Sequence, residues 1–568
     1  MNGYLILSLD SARSILEKKS KNFLYKKIIF FTDRVIVYNL LREKKLKVFL
    51  ISKILSQKKF QETFKKEYEI FNSALKELDT KSNNRINLYY NSFRYVGSRN
   101  YAGLILILRS LKILIKKFKI KKFYLHTEIT GSIFNKVVYI EIFKYFCEIN
   151  SLSFKLENTK SEKKNKYFKY ISNLVLKMRI KFGNFNIALF KLKFKKFFTK
   201  LFIFKKNKRI LIVEPEADLL FMKYEASSTY FKNISKYKKF YLFIKNYKKK
   251  NIEKKKTYLN IIINHLKNDL IFNKSLILLE SKKILNFIKS KKIVKIFWGG
   301  SPNPYFANIL SILKSKKVKI FGVQHGGKYF IQNDDIYHKD SDFAFCNKFL
   351  AYGVSKYFNK KKFTKNKTEI LDNGCFKSFF LRRKYENIKD QNCHNKILYV
   401  PTSSKFLLAP VMGSMEHVHY EKQIQICKTL NKINFYKIFI KTISRNDLLE
   451  YTPIYPDLKK YKNISINCYS LTNAIDTIKP KILICDSLST SIYDCLYTNS
   501  EIIIFLDKNN LPKKDVLSAL SKRVFFVKNY KEMRFIINKI RNNKLPKKPR
   551  NSEFLEKFHA LKKDDFLS

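Results

Sequence analysis

Short apolar runs alternate with longer amphipathic stretches along the first part of this chain. Strand-like runs occupy residues 4–9, 28–38 and 122–125, and a helix-like pattern covers residues 101–117. Runs of this length predict buried strands, and a recurrence of apolar positions every three to four residues predicts helices. Strands that alternate with helices are typical of a parallel sheet covered by helices, so the pattern predicts an α/β fold.

The alternation continues in the middle of the chain. Strands are predicted over residues 210–213, 293–297 and 318–323, with a lysine-rich helical region over residues 230–292. Ligands of open α/β sheets bind at the carboxyl ends of the strands, so the loops after the last two strands are candidate cleft loops. Their residues are Gly299, Gly300 and Ser301 in one loop and Gln324, His325, Gly326 and Gly327 in the other.

A polar, irregular stretch at residues 382–396 precedes a second series of alternating elements. We place a domain boundary here, between an N-terminal Rossmann-like domain of residues 1–385 and a C-terminal one of residues 386–568 that ends in a helical tail. Strands of the second domain are predicted over residues 397–400, 437–440, 464–468, 482–484, 502–505 and 524–527.

Composition agrees with two folded domains and adds a strong positive charge. The chain has 568 residues, 45% of them apolar, which is enough for more than one core. Its net charge of +71 points to anionic partners such as nucleotides, phospholipid headgroups or nucleic acid. Only 16 of the 116 basic residues are Arg, and a lysine excess is also what an AT-rich genome produces. Charge alone therefore does not define a function.

Residues 163–213 contain no acidic residue, and their Lys and Arg side chains interleave with aromatic and aliphatic ones. Such a segment is a candidate for contact with an anionic membrane surface. An ordinary pair of helices with solvated lysines is the alternative. The eight cysteines show no metal-binding spacing, and we expect no signal peptide, no membrane span and a cytoplasmic location.

The apolar run at residues 482–484 leads into a hydroxyl-rich turn from Asp486 to Ser491, followed by a helical pattern and a further apolar run at residues 501–506. This order predicts a βαβ unit. Ser and Thr are preferred at helix N-termini, where free amides and the helix dipole favour an anion. The turn is therefore either a phosphate site or a capped helix without a ligand. The candidate donor-binding residues are Ser489, Thr490, Ser491 and Asp494.

Polar residues also follow the first two predicted strands of the second domain. Thr402 and Ser403 follow one strand, and Lys441 and Arg445 follow the next, where they are candidates to meet a diphosphate. Surface solvation is the alternative for the lysine.

His325 is the candidate general base, because it ends a predicted strand and an imidazole titrates near working pH. Gly326 and Gly327 allow a ligand to approach the backbone closely. An acid-rich loop follows, and in it Asp342 is the candidate to orient His325 or to contact a sugar hydroxyl. A histidine that merely hydrogen-bonds a loop, and solvated acids, are the alternatives.

Three motifs occur in an order that resembles known transferases: Gln324 to Gly327, Pro401-Thr402, and the segment from Asp486 to Asp494. The chain is similar to a family of transferases of bacterial surface-polysaccharide clusters and, more distantly, to the CDP-glycerol glycerophosphotransferases, both of the GT-B type. The resemblance covers residues 293–507. The spacing from Asp486 to Asp494 is one residue longer than in the glycerophosphotransferases, which leaves the donor open.

The resemblance implies a GT-B-like fold, in which two doubly wound Rossmann-like domains face a cleft. It implies that His325 deprotonates an acceptor hydroxyl, that Thr490 and Ser491 hold the donor diphosphate, and that Asp494 lies near the ribose. The implied partners are a nucleotide-activated donor and a glycan or lipid-linked acceptor. The resemblance also implies no cofactor and no metal, since enzymes of the GT-B type stabilise the leaving diphosphate with dipoles and cations instead of a bound metal.

Two other classes of protein stay open at this point. A non-catalytic relative that binds a nucleotide-sugar or a glycan would keep the same phosphate site. A nucleic-acid-binding protein would fit the net charge, but its basic residues should concentrate on one face or in a known module, and here they are spread along the chain. We therefore expect no nucleic-acid partner.

Overall fold

The computed structural model describes most of the chain in segments. These are residues 1–19, 28–81, 88–94, 96–126, 136–157, 209–213, 228–231, 257–290, 293–299, 304–324, 342–353, 368–372, 374, 381, 384–385, 394–402, 415–442, 453–489, 491–506, 511–548 and 553–559. They form three parallel sheets with accompanying helices, which confirms the predicted α/β class.

The first sheet has the order β3-β2-β1-β4-β5, and all its neighbouring strands are parallel. Its strands are β1 (Asn2–Leu5), β2 (Ile28–Thr32), β3 (Val48–Leu50), β4 (Lys122–His126) and β5 (Ser153–Glu157). Its helices are α1 (Leu9–Lys19), α2 (Val35–Glu43), α3 (Gln57–Lys81), α4 (Leu88–Phe93), α5 (Val96–Phe118) and α6 (Lys136–Ile149), with a 3-10 turn at Ile51–Lys53.

Two strands in this region are shorter than the apolar runs that predicted them. The prediction of a strand through residue 9 is wrong, because the Ser8 hydroxyl accepts a hydrogen bond from the Ser11 amide and Leu9 begins α1. The run at residues 28–38 is likewise divided, since β2 ends at Thr32 and α2 begins at Val35. Apolar residues continue through both elements because both are buried.

The second sheet has the order β11-β10-β9-β8-β6-β7. Its strands are β6 (Arg209–Val213), β7 (Ser228–Phe231), β8 (Ile293–Gly299), β9 (Lys319–Val323), β10 (Lys348–Ala351) and β11 (Glu369–Asp372), and its helices are α7 (Tyr258–Ser290) and α8 (Pro304–Ser315). The prediction of helix throughout residues 230–292 is therefore wrong at its start, because residues 228–231 form a strand that pairs with β6.

The third sheet has the order β14-β13-β12-β15-β16-β17, again entirely parallel. Its strands are β12 (His394–Val400), β13 (Lys437–Lys441), β14 (Ile464–Asn467), β15 (Pro480–Cys485), β16 (Glu501–Phe505) and β17 (Phe525–Val527). Its helices are α9 (Glu416–Asn431), α10 (Tyr455–Leu458), α11 (Leu471–Ile478), α12 (Ser491–Leu496), α13 (Lys514–Ser521), α14 (Tyr530–Arg541) and α15 (Glu553–His559). All six strands predicted for this region are confirmed.

The described residues divide into two compact units. One contains the residues up to 321 together with residues 342–347, and the other contains residues 322–324 and those from 348 onward. The proposed boundary after residue 385 stays a prediction. So does membrane contact by residues 163–213, of which only β6 belongs to the described part of the chain. None of the described helices combines the length and apolarity that crossing a membrane requires.

Candidate functional site

The strand order of the third sheet identifies one edge of it as a candidate ligand site. Numbered along the chain, its strands run 3-2-1-4-5-6, and the order reverses between β12 and β15. Successive connections leave these two strands in opposite directions, which opens a crevice at their carboxyl ends. The residues that follow are Pro401 and Thr402 after β12, and Asp486 to Ser489 after β15. Each group contains candidates from the sequence.

A buried carboxylate joins the two strand ends. Asp486 has no exposed surface, and its side chain accepts four hydrogen bonds. The donors to Oδ1 are the amide of Thr402, at 2.8 Å, and the hydroxyl of the same residue. The donors to Oδ2 are the Tyr399 hydroxyl, at 3.0 Å, and Gln423 Nε2, at 2.8 Å. Such a carboxylate fixes the geometry of both strand ends.

The direction of each hydrogen bond in this network follows from its chemistry. Burial and the negative charge of Asp486 raise the pKa of Tyr399 well above its ordinary value, so the phenol keeps its proton and donates. The Thr402 hydroxyl gives its hydrogen to Asp486, and it therefore accepts from the Ser487 hydroxyl. The predicted donor-binding hydroxyl of Thr402 is thus engaged within the protein.

Helix α9 holds the same loops from one side. Gln423 Nε2 donates to the Thr402 carbonyl as well as to Asp486, both at 2.8 Å, and Lys422 Nζ donates to the Asp486 carbonyl at 2.9 Å. Two successive side chains of one helix therefore contact both loops of the crevice. Tyr399, Lys422 and Gln423 were missed in the sequence, and the one available signal was the polar Gln423 one turn before the apolar positions Ile426, Cys427 and Leu430 of the same helix.

The turn after Asp486 presents hydroxyl groups at the edge of the sheet. The Ser489 amide donates to the Ser487 carbonyl at 3.0 Å, and the Ile492 amide donates to the Ser489 carbonyl at 3.1 Å, which leads into α12. Ser489 and Ser491 are both partly exposed at this edge. Thr490 lies outside the described residues.

The sheet brings the predicted residues Lys441 and Asp494 within electrostatic range of each other. Lys441 is the last residue of β13, next to β12, and Asp494 is a buried residue of α12. Burial lowers the pKa of Lys441 from 10.5, while the negative charge of Asp494 opposes that change. A partly desolvated ammonium group of this kind is well suited to compensate a phosphate.

The other predicted residues are divided between described and undescribed parts of the chain. Gln324 is buried, and its Oε1 accepts a hydrogen bond from the Tyr352 amide at 2.9 Å, so it ties the end of β9 to the residue after β10. Asp342 is buried, with its carbonyl accepting from the Cys346 thiol, and Gly299 ends β8. The candidates outside the described residues are Gly300, Ser301, His325, Gly326, Gly327, Ser403, Arg445 and Thr490. Within the segments that are described, His, Cys, Asp and Glu form no group able to hold a metal ion.

Comparison by sequence gives no match, either to a protein-family model or to a curated protein. Comparison of structures gives distant similarities at low identity. A UDP-GlcNAc 2-epimerase from Methanocaldococcus jannaschii is 13% identical with a TM-score of 0.37, over 62% of this chain and 96% of that one. MurG from Acinetobacter baumannii is 8% identical with a TM-score of 0.33, over 62% and 96%.

A UDP-glucosyltransferase from Polygonum tinctorium is similar to the chain at the same level, with 8% identity and a TM-score of 0.31, over 59% of this chain and 89% of that one. The crevice itself is defined by the strand order of the third sheet and by the side chains at its carboxyl edge.

Proposed function

We propose that this chain is a GT-B-like transferase that moves a sugar or sugar-like group from a nucleotide-activated donor to a cell-surface polysaccharide or lipid-linked acceptor. The observation that carries the proposal is the crevice between β12 and β15. There, the reversal of a 3-2-1-4-5-6 sheet coincides with a buried polar network that holds two loops in place. The resemblance of the three sequence motifs supplies the reaction class.

The donor's diphosphate would lie along the hydroxyl-rich turn before α12. Ser489 and Ser491 offer accessible hydroxyls, and Lys441 offers a cation at the end of the neighbouring half of the sheet. Asp486 would not touch the donor, since its four acceptor positions are occupied by Tyr399, Thr402 and Gln423. Its role is to keep the turn rigid, which limits the entropy lost when a ligand binds.

The chemistry requires a base and a stabilised leaving group. The acceptor oxygen forms a bond to the transferred group while the bond from that group to the donor diphosphate breaks. The diphosphate leaves with the electron pair, and the acceptor proton passes to His325, the base that the resemblance assigns. Lys441 would stabilise the charge that develops on the leaving oxygen. Stabilisation of this kind usually lowers the reaction barrier more than general base catalysis does.

The first test is nucleotide binding by the purified protein. UDP, GDP, CDP, CMP and ADP are titrated calorimetrically against the wild type, Lys441→Ala and Lys437→Ala. Lys437 lies on the same strand, at its exposed amino end, and serves as the matched control. We expect one nucleotide to bind, with an affinity about tenfold lower in Lys441→Ala and unchanged in Lys437→Ala. Binding that is absent for all five nucleotides, or equal in the two variants, would overturn the site.

The second test separates a transferase from a protein that only binds its donor. His325→Ala should retain the nucleotide affinity of the wild type and lose transfer of the labelled group to an acceptor extract. Because the base acts on the acceptor and not on the donor, binding and turnover should respond differently. Transfer that persists in His325→Ala would refute the assigned base. A wild type that binds the nucleotide without any turnover would refute the transferase.

A further inference from the structure

The carboxyl edge of the first sheet has the same kind of strand reversal as the third, and the proposed function does not use it. Its order β3-β2-β1-β4-β5 corresponds to 3-2-1-4-5 along the chain, with the reversal between β1 and β4. Leu5 of β1 pairs with Phe31 of β2 and with Leu125 of β4. The residues that follow these strands therefore lie side by side, where open α/β sheets bind ligands.

Polar side chains collect at this edge although the strands themselves are apolar. Thr32 and His126 are the last residues of β2 and β4, and they are 0% and 1% exposed. Arg34 follows β2 and is 2% exposed. Burial of so many polar groups at one end of a sheet is costly unless each has a partner. For part of the group the partners are local, since the Thr32 hydroxyl accepts a hydrogen bond from the Arg34 amide at 3.1 Å.

Asp33 lies between Thr32 and Arg34 and has an acceptor atom that these local contacts do not satisfy. Its Oδ1 is buried and has no hydrogen-bond partner among the described residues. Burial raises the pKa of Asp33 to about 6, even though the positive charge of Arg34 acts in the opposite direction. At neutral pH the residue is thus an ionised carboxylate with an unfilled acceptor position. A bound group that donates hydrogen bonds would satisfy it.

The surroundings of Asp33 restrict the chemistry of a group that could donate hydrogen bonds to it. Arg34 already supplies positive charge beside Asp33, so a further cation is not needed, and neutral hydroxyl donors fit better. A pair of adjacent hydroxyls matches the two oxygens of a carboxylate, and an acidic residue after the second strand of such a sheet is placed to receive the hydroxyls of a ribose. No glycine occurs in residues 6–11, which connect β1 to α1 and begin that helix, so nothing here indicates the close approach of a pyrophosphate.

We propose that the carboxyl edge of the first sheet holds a second ligand site, at which Asp33 accepts hydrogen bonds from the vicinal diol of a ribose or hexose ring. The site lies on a different sheet from the proposed donor site and does not depend on it. A ribonucleotide and a free sugar share this chemistry, and the probes below distinguish them.

The experiment measures calorimetric binding to the full-length protein with three kinds of probe: the ribonucleotides UMP, CMP, GMP and AMP, their 2′-deoxy counterparts, and the free sugars glucose and N-acetylglucosamine. The proteins are the wild type, Asp33→Asn, Glu43→Gln and Lys441→Ala. Asp33→Asn keeps the size of the side chain and removes its charge. Glu43 is an exposed carboxylate at the carboxyl end of α2, at the opposite end of that helix from Asp33, and provides the matched control.

We expect a diol probe to bind, with an affinity about tenfold or more lower in Asp33→Asn and unchanged in Glu43→Gln and Lys441→Ala. Weaker binding of the 2′-deoxy probe identifies a ribose, and binding of a free sugar at the Asp33-dependent site identifies a hexose. Failure of every probe to bind, or equal affinities in Asp33→Asn and wild type, overturns the second site. Loss of binding in Lys441→Ala alone assigns the probe to the donor site and likewise overturns it.

Discussion

The backbone amide of Thr402 donates a hydrogen bond to Oδ1 of Asp486 over 2.8 Å, although the two residues lie 84 positions apart in the chain. This contact joins the carboxyl ends of β12 and β15 at the reversal of the third sheet. The side-chain amide of Gln423, on α9, and the hydroxyl of Tyr399 donate to Oδ2 of the same carboxylate. The crevice is therefore shaped by a residue that has no free acceptor position for a ligand.

Replacing Asp486 by Ala should destabilise the protein severely. The change leaves the Tyr399 hydroxyl, the Thr402 amide and the Gln423 amide group buried without their acceptor, and each lost partner of a charged group costs about 1.5–3 kcal/mol. We expect a loss of about 3 kcal/mol or more in the free energy of unfolding, measured by urea denaturation followed by circular dichroism.

Asp515→Ala is the comparison for that variant. Asp515 is an exposed residue in the first turn of α13, where its carboxylate accepts a hydrogen bond from the amide of Val516 at 3.0 Å. Its loss should cost about 1 kcal/mol, the usual value for a helix-end carboxylate. If the two variants unfolded at the same urea concentration, the buried network would contribute no more than a surface cap, and the rigidity assigned to the crevice would be wrong.

Replacement of Arg523, even by Lys, should lower the free energy of unfolding substantially. Its guanidinium is 1% exposed and donates to three carbonyls, those of Leu496 at 3.0 Å, Thr498 at 2.6 Å and Ser500 at 3.0 Å. A lysine ammonium cannot reproduce this planar fork. We expect Arg523→Lys to lower the free energy of unfolding by about 2–4 kcal/mol.

The control for Arg523 is Arg534→Lys, an exposed residue of α14, which should change stability by less than about 0.5 kcal/mol. Because Arg523 holds the segment between α12 and β16, nucleotide affinity should also fall in Arg523→Lys. An Arg523→Lys protein as stable as Arg534→Lys would show that the three carbonyl bonds are replaceable by water.

Much of the third sheet could be predicted from the sequence, and its network could not. Each of its strands is an apolar run bounded by lysine or polar residues, and such runs indicate a buried parallel strand directly. Gln423 was missed because a single helix pattern does not show that a polar residue points at a carboxylate 63 positions away. Asp486 was noticed for its place in the turn, yet its partners depend on which strands are neighbours, and no local pattern carries that information.

The last helix of the described chain, α15, packs on α12, the helix that follows the proposed donor-binding turn. Phe554 of α15 is buried and stacks on Tyr493 of α12 with ring centroids 5.8 Å apart. Phe554→Ala should cost about 3–5 kcal/mol and loosen α12, so nucleotide affinity should fall as well. Glu556→Ala, on the exposed face of the same helix, should leave both quantities unchanged. Calorimetric nucleotide binding and urea unfolding of the two variants provide the comparison, and a Phe554→Ala protein with wild-type affinity would separate α15 from the site.

Asp33 should make the stability of the protein decrease as pH rises. Its pKa in the folded protein is about 6, above the ordinary value of 3.8, so the folded state binds the proton more tightly than the unfolded state does. The resulting stabilisation is complete below pH 3.8 and is lost as pH rises through 6. Asp33→Asn carries no charge, and we expect it to be more stable than wild type by on the order of 2 kcal/mol at pH 8 and equal to it near pH 4. Urea unfolding of both proteins across this pH range measures the difference. A constant difference between them would mean that Asp33 is solvated and does not titrate with folding.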